Sequence, residues 1–209
     1  MMKGKFITIE GIEGAGKSTT QQFIREYLAK KNIDVVWTRE PGGTDVAEHL
    51  RQLILHSTFT ETIFPEAELL MMFAARMQHL KHKILPALAA GKWVVSDRYV
   101  DASYAYQGGG RKIEEQYVQM LDQWIVGSTY PDLTLLLDIP PDLGFSRTEM
   151  RGTEKDRIEQ EKMDFFVRVR DAYLQRARQN PSRIKIIDAS LTLPEVQQQI
   201  RDVLDVFVR

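Results

Sequence analysis

The eight residues Gly11-Ile12-Glu13-Gly14-Ala15-Gly16-Lys17-Ser18 constrain this chain more than any other stretch. Their spacing is G-x-x-x-x-G-K-S, and each fixed position has a physical task. Glycines let the backbone turn until successive N–H groups converge on an anion. Lys17 supplies a mobile positive charge, and the Ser18 hydroxyl is a ligand for Mg²⁺. Lys5-Phe6-Ile7-Thr8-Ile9 before the loop is apolar and β-prone. After it, Thr19 opens a segment with helical spacing at Phe23, Tyr27 and Lys30. Strand, glycine loop and helix together set an anion against a helix N-terminus, whose backbone N–H groups and dipole attract it. The pattern implies a site for a nucleoside triphosphate.

Short apolar runs at residues 6–9, 35–37, 93–95, 133–137 and 184–187 read as five strands. They are continuous rather than alternating, as expected of parallel strands buried on both faces. Helical segments separate them, so the β-α-β order predicts an α/β domain with right-handed crossovers. With the loop, this predicts the P-loop NTPase fold: a five-stranded parallel sheet with helices on both faces. At 209 residues the natural count is one domain, spanning 1–209. The closing helix has Pro194 in its first turn and a stripe of Val196, Ile200, Val203, Leu204 and Phe207. Ligands of such sheets sit at the carboxyl ends of the strands. The loop itself, residues 39–44, Asp97-Arg98-Tyr99, Asp138 and Asp188 all fall there.

A net charge of −1 argues against a protein whose task is gripping nucleic acid. No apolar run is long enough to span a bilayer and no signal-peptide pattern opens the chain, so no membrane partner is expected. The absence of cysteine excludes disulfides and fits a cytoplasmic protein. Two stretches differ from the rest. Residues 65–90 are helical in composition and apolar on more than one side, with Leu69, Leu70, Met71, Met72, Phe73 and Met77. Such a helix is buried on several faces, against its own sheet and against a second subunit. Residues 147–158 are polar and arginine-rich around Gly152, which reads as a solvated loop or as a short lid over phosphates.

Several constellations carry chemistry. Asp97 ends a strand beside the phosphate loop and is placed to hold the Mg²⁺ shell, directly or through water, and Arg98 is a phosphate ligand. Asp138 also ends a strand and is a weaker rival for the metal. Leu69, Phe73, Arg76 and Leu80 fall on one helical face. An arginine in an apolar stripe needs a partner, because an unpaired buried charge is costly. Phe73 and Arg76 read either as a site that stacks a nucleobase and bonds its edge or as core phenylalanine plus snorkelling arginine. Arg39, Glu40 and, beyond the turn, Arg51 are candidates for a second phosphate group, with surface ion pairs as the bland alternative. Glu13 would repel phosphates and must point elsewhere, towards a group such as a sugar hydroxyl. His79 and His82 have the spacing of a metal pair but no third ligand.

Taken together, the loop, Thr38-Arg39-Glu40-Pro41-Gly42-Gly43-Thr44, Phe73-Ala74-Ala75-Arg76, Asp97-Arg98-Tyr99, Tyr106-Gln107-Gly108-Gly109-Gly110-Arg111, Pro131-Asp132-Leu133-Thr134 and Arg157-Ile158-Glu159 resemble the bacterial thymidylate kinases. The likeness runs from about Lys5 to the C-terminus. It implies ATP and dTMP as substrates, Mg²⁺ as cofactor and a homodimer. ATP would lie on Gly11, Ile12, Glu13, Gly14, Ala15, Gly16, Lys17, Ser18 and Thr19, with Arg147 and Arg151 from the lid. The dTMP contacts would be Glu13, Arg39, Glu40, Arg51, Phe73, Arg76, Arg98, Ser103, Tyr106 and Gln107. Among them Phe73 would stack on thymine, Arg76 would bond its carbonyl edge and Tyr106 would exclude a 2′-hydroxyl. Lys17, Asp97, Arg98 and Arg151 would be catalytic, with Ser18 and Asp97 serving the metal. One class of the family carries a catalytic arginine inside the phosphate loop. None occurs here among Ile12, Glu13, Gly14 and Ala15, which implies the class whose lid supplies that charge. Two rivals remain. A GTPase-type switch needs an N-K-x-D segment, which neither Asn32 nor Asn180 begins. Another nucleoside monophosphate kinase is nearer, and Phe73, Arg76, Ser103 and Tyr106 favour the thymine nucleotide.

Overall fold

The five predicted runs form one parallel sheet in the computed structural model, which describes residues 4–56, 59–150 and 156–208. The strands are β1 (Phe6–Glu10), β2 (Val35–Arg39), β3 (Trp93–Asp97), β4 (Leu133–Asp138) and β5 (Ile184–Asp188), in the order β2-β3-β1-β4-β5. The chain's direction of travel across the sheet reverses between β1 and β3, and such a switch point opens a crevice at the strand ends. Register makes that rim level: Ile9 pairs with Asp97, Arg39 with Asp97, and Asp138 with Asp188. The polar clusters expected at the strand ends therefore converge.

The strands bury both faces because each face carries helices. From β1, Phe6 joins Leu69, Phe73, Leu80, Val94 and Val118, whereas Ile7 and Ile9 join Ile24, Leu28, Val95 and Leu204. Besides Val94 and Val95 on β3 and Leu80 just past α3, these partners lie on α1 (Lys17–Lys30), α3 (Pro65–His79), α6 (Glu115–Ile125) and α9 (Leu193–Phe207). Each fully buried side chain of this kind contributes about 1.5–3 kcal/mol. The last helix starts as its sequence predicts, with Thr192 and Glu195 forming a capping box and Val196, Ile200 and Leu204 buried.

The helical stretch 65–90 is not one α-helix. Between α3 and α4 (Leu85–Ala89) lies a π-turn, Leu80–Ile84, in which the Leu85 N–H returns to the Leu80 carbonyl. Pro86 supplies the reason, since its ring displaces the preceding turn and it has no N–H to give. A second π-turn, Tyr104–Gly110, follows the short helix α5 (Val100–Ser103) and carries Tyr106 and Gln107. The remaining helices are α2 (Asp45–His56), α7 (Pro141–Glu149) and α8 (Met163–Gln179). Residues 151–155, and with them Arg151 and Gly152 of the expected lid, lie outside the described residues.

Candidate active site

The phosphate loop joins β1 to α1, and its glycines are there for conformation and for space. Gly11 has φ +140°, and a Cβ on it would lie 2.6 Å from the Leu137 carbonyl oxygen. Gly14 has φ +77°, and a Cβ there would meet the Gly144 carbonyl oxygen of α7 at 2.1 Å. Only glycine fits either place. Lys17 folds back over the loop, with Nζ donating to the carbonyls of Gly11 at 3.1 Å and Ile12 at 3.0 Å. Burial, with the Arg98 charge nearby, pulls the Lys17 ammonium down to about 8.

Beside the loop lies a cleft of about 690 Å³, and Ser18, Thr19, Arg51, Asp97 and Arg98 also line it. Asp97 Oδ1 is buried and makes no hydrogen bond to any described residue. An uncommitted carboxylate oxygen and the Ser18 hydroxyl in one cleft fit Mg²⁺, which keeps several waters and leans on substrate phosphates. Among the described residues no group of three or more acidic or histidine side chains forms a metal cage. Asp138, the rival for this role, is already held by Arg170 through two bonds of 2.7 and 2.9 Å. It is not available to a metal.

Glu13 turns from the loop, as its charge demands. Its carboxylate accepts from Arg98 Nη2 at 2.6 Å and from the Tyr106 hydroxyl at 2.8 and 2.9 Å. Arg98 also donates to the Tyr106 hydroxyl at 2.7 Å. Burial disfavours the Arg98 charge, but Tyr106 and Glu13 outweigh it and hold the guanidinium protonated. Arg51 donates to the Pro41 carbonyl at 2.9 Å while lining the same cleft.

The expected base-reading group is buried and internally paired. Arg76 is 1 % exposed and donates to Glu40 at 2.8 Å, Ser103 Oγ at 3.0 Å and the Tyr99 carbonyl at 3.1 Å. His79 bonds the other Glu40 oxygen at 2.9 Å and Thr38 Oγ1 at 2.6 Å, so both ring nitrogens are committed away from any metal. Glu40 is thus no phosphate ligand: it turns inward, pairing with the buried Arg76 and bonding His79. Arg39 stays at the surface and pairs with Glu48 at 2.9 Å, outside the cleft. Phe73 is 1 % exposed and packs among Phe6, Leu69, Val94 and Tyr99, with the Arg76 guanidinium 4.6 Å from its ring centre. It is a core residue that steadies Arg76. Met72, four residues before Arg76 on α3, belongs instead to the cluster holding Tyr106, Ile54 and Leu55. Gln107 donates to Glu68 at 2.8 Å, and its amide oxygen is buried without a hydrogen bond among the described residues.

The two described lid arginines part company. Arg147 lines the cleft and donates to the Ala189 carbonyl at 2.9 Å. Arg157 is drawn away, donating to the Ile54 carbonyl at 2.7 Å and pairing with the buried Glu68. Sequence reading missed the apolar end of the cleft, where Ala189, Leu191, Leu193 and Val196 lie beside Arg147. Its one visible signal is that these residues follow the end of β5.

The family model described as Thymidylate kinase matches residues 9–200. This chain belongs to the thymidylate kinase family. It is 57% identical over 204 residues to a thymidylate kinase of Vesicomyosocius okutanii, covering 98% of each chain. It is 53% identical over 206 residues to one of Ruthia magnifica, covering 99% of this chain and 100% of that protein. The crystal structure of thymidylate kinase from Ehrlichia chaffeensis has a TM-score of 0.78 and 32% identity, over 97% of this chain and 99% of the other. Among the described residues no helix of the kinase is long and apolar enough to cross a membrane.

Proposed function

We infer that the kinase transfers the γ-phosphoryl group of ATP to dTMP, giving dTDP and ADP. One observation carries the reading: the phosphate loop, the uncommitted oxygen of Asp97 and the guanidinium of Arg98 share one cleft. ATP phosphates lie on Gly11 to Thr19, and Lys17 leaves its carbonyl partners to reach between the β- and γ-phosphates. The adenine takes the apolar end at Leu191, Leu193 and Val196, with Arg147 beside it. Arg98 and Arg51 hold the acceptor phosphate, and Glu13 meets the sugar 3′-hydroxyl. Tyr106 closes the 2′ side. Arg76, Ser103 and Gln107 bond the edge of thymine, while its flat face rests on the apolar wall at Met72.

The acceptor needs no general base, because a phosphate monoester with a second pKa of about 6 is already largely ionised. Catalysis is alignment plus neutralisation of charge on the moving group, by Lys17, Arg98 and, from the lid, Arg151. Ser18 and Asp97 would hold Mg²⁺, which would supply further neutralisation of phosphate charge. The kinase is a cytoplasmic homodimer in this reading. Leu70 on α3 and Met120 and Trp124 on α6, exposed by 58, 60 and 75%, are the apolar surface a second copy covers. Sedimentation of the parent and Trp124→Glu checks this, with a shift to monomer expected. The test of function is ADP release with ATP across dTMP, dUMP, UMP, dCMP, dGMP and AMP. dTMP should exceed dUMP by about 10- to 200-fold in kcat/KM, the worth of one methyl group in an apolar pocket. Equal or faster turnover of AMP or dGMP would overturn the substrate and leave the fold intact.

A further inference from the structure

At the base of the cleft, Glu10 is a fully buried carboxyl that takes no part in the transfer described above. It ends β1, one residue before the phosphate loop, and its two oxygens have separate duties. Oε1 accepts the Tyr99 backbone N–H at 2.8 Å, and Oε2 accepts the Tyr173 hydroxyl at 2.7 Å. Tyr173 comes from α8, so the carboxyl ties the outer helix to the chain just beyond β3.

What it ties there is unusual. Arg98 has φ +66°, a left-handed conformation that a residue with a long side chain rarely adopts. Such a backbone persists only when its surroundings over-determine it. Three bonds do so. The Arg98 N–H donates to the Ile9 carbonyl at 3.0 Å, Ser96 Oγ donates to the Arg98 carbonyl at 2.7 Å, and Tyr99 N–H donates to Glu10. The first two would tolerate rotation of the Arg98–Tyr99 peptide less readily with the third in place. Tyr99 is wholly buried, so without Glu10 its N–H would lack a partner in a dry site. The left-handed turn sends the Arg98 side chain back over the sheet to Glu13 and Tyr106.

We propose that Glu10 is a positioning residue for phosphoryl transfer, fixing the Arg98–Tyr99 peptide so that the Arg98 guanidinium meets the acceptor phosphate. The proposal rests on the assignment of Arg98 to that phosphate. A buried acid is an expensive way to accept one N–H, and the location explains the expense. The last β1 carbonyl to reach across, that of Ile9, is already taken by the Arg98 N–H, whereas the Glu10 side chain reaches the next N–H along and is itself anchored by Tyr173. Burial, with Asp101 nearby, pushes the Glu10 carboxyl up to about 8, which favours its neutral form.

Steady-state kinetics of Glu10→Gln, Glu10→Ala, Arg98→Ala and the Glu10→Ala/Arg98→Ala double variant test this. The carboxamide keeps an acceptor for Tyr99 and can hold Tyr173 with the bond reversed, its NH₂ donating to the Tyr173 oxygen, so Glu10→Gln should stay within about threefold of the parent. Glu10→Ala should lower kcat/KM for dTMP by about 30-fold while KM for ATP moves less than about twofold. In the Arg98→Ala background the same change should cost less than about threefold, since residues acting through one another do not add. Losses that multiply in the double variant, or a Glu10→Ala enzyme equal to the parent, would overturn the proposal. An Arg98→Ala enzyme with unimpaired dTMP use would instead overturn the assignment of Arg98. If Glu10→Ala does not fold, Tyr173→Phe releases the anchor without opening a cavity. It should lower kcat/KM for dTMP several-fold and spare ATP, and an effect on both substrates alike would count against the idea.

Discussion

Around the phosphate loop Lys17 and Asp97 have few protein partners, whereas in the base-reading half Arg76 and Glu40 are bound up with each other and their neighbours. Lys17 is held by two carbonyls and Asp97 keeps an uncommitted oxygen. In the other half, Arg76 spends three donors on Glu40, Ser103 and the Tyr99 carbonyl, and Glu40 spends its second oxygen on His79. The difference follows from what each half must recognise. Phosphates bring charge, so the protein supplies loosely tied countercharge that can move to them. A neutral base brings only an edge and a face, so the donors that read it must be fixed in advance, and a buried guanidinium is fixed only by a buried acid.

Substitution at Lys17 should have the largest consequence of this plan. Lys17→Ala should lower kcat by more than about 10⁴-fold, because no other side chain of the loop can place a cation between the β- and γ-phosphates. Binding of dTMP, measured by calorimetry, should be nearly unchanged. A loss of dTMP binding as large as the loss of rate would mean the two halves are not separate.

The lid arginines come next. Arg151→Ala should lower kcat by about 10³-fold, the lower end for loss of an arginine that meets transition-state charge, and Arg151→Lys should recover only part of it. Arg157→Ala should act elsewhere. Arg157 is committed to Glu68 and the Ile54 carbonyl, so its loss should lower the unfolding midpoint with a smaller effect on kcat. An inactive Arg157→Ala with a normal midpoint, beside an active Arg151→Ala, would exchange the two roles.

These two halves were also unequally legible in the sequence. The phosphate loop is written in contiguous spacing, and the strand ends carrying Asp97 and Arg98 follow from short apolar runs of the kind expected of buried parallel strands. The base-reading half depends on partners distant in sequence: Glu40 with Arg76, Glu68 with Arg157, Met72 with Tyr106. No local pattern says which acid will meet a buried arginine. Helical spacing put Phe73 on the face of Arg76, which is correct, but the face is the core side. Both π-turns escaped notice, although Pro86 and the three glycines after Gln107 were their signals, because a one-residue widening leaves no periodicity to read.

Phe73 tests that lesson with a smaller effect. Phe73→Ala should cost about 3–5 kcal/mol of stability, the usual loss for a large aromatic in a packed core. The folded fraction should keep a KM for dTMP within a few-fold of the parent, whereas Met72→Ala should raise that KM and cost less stability. Urea denaturation and kinetics on the same samples separate the two. A selective rise in KM for dTMP in Phe73→Ala would return the stacking role to Phe73.

The smallest effect is a difference in sign. Glu10 lies beneath the phosphate half and faces Asp101, Arg98, Tyr173 and the Tyr99 N–H, and burial pushes its carboxyl from 4.5 up to about 8. Folding favours its neutral form, so its contribution is complete below pH 4.5 and is lost as pH rises through about 8. Glu68 anchors the base half. Burial alone would raise it, but Arg111, Gln107 and Arg157 outweigh burial and hold it below its usual value of 4.5. Its contribution is present above 4.5 and is lost as pH falls through the depressed value. Unfolding free energies from pH 3 to 9 should therefore respond at opposite ends. Glu10→Gln should flatten the fall between about pH 4.5 and 8, where one fully titrating group contributes a slope of up to about 1.4 kcal/mol per pH unit. Glu68→Gln should flatten the fall on the acid side and leave the alkaline side alone. If Glu10→Gln left the slope between about pH 4.5 and 8 unchanged, Glu10 would be ionised in the folded protein, and the phosphate half would hold one more buried charge.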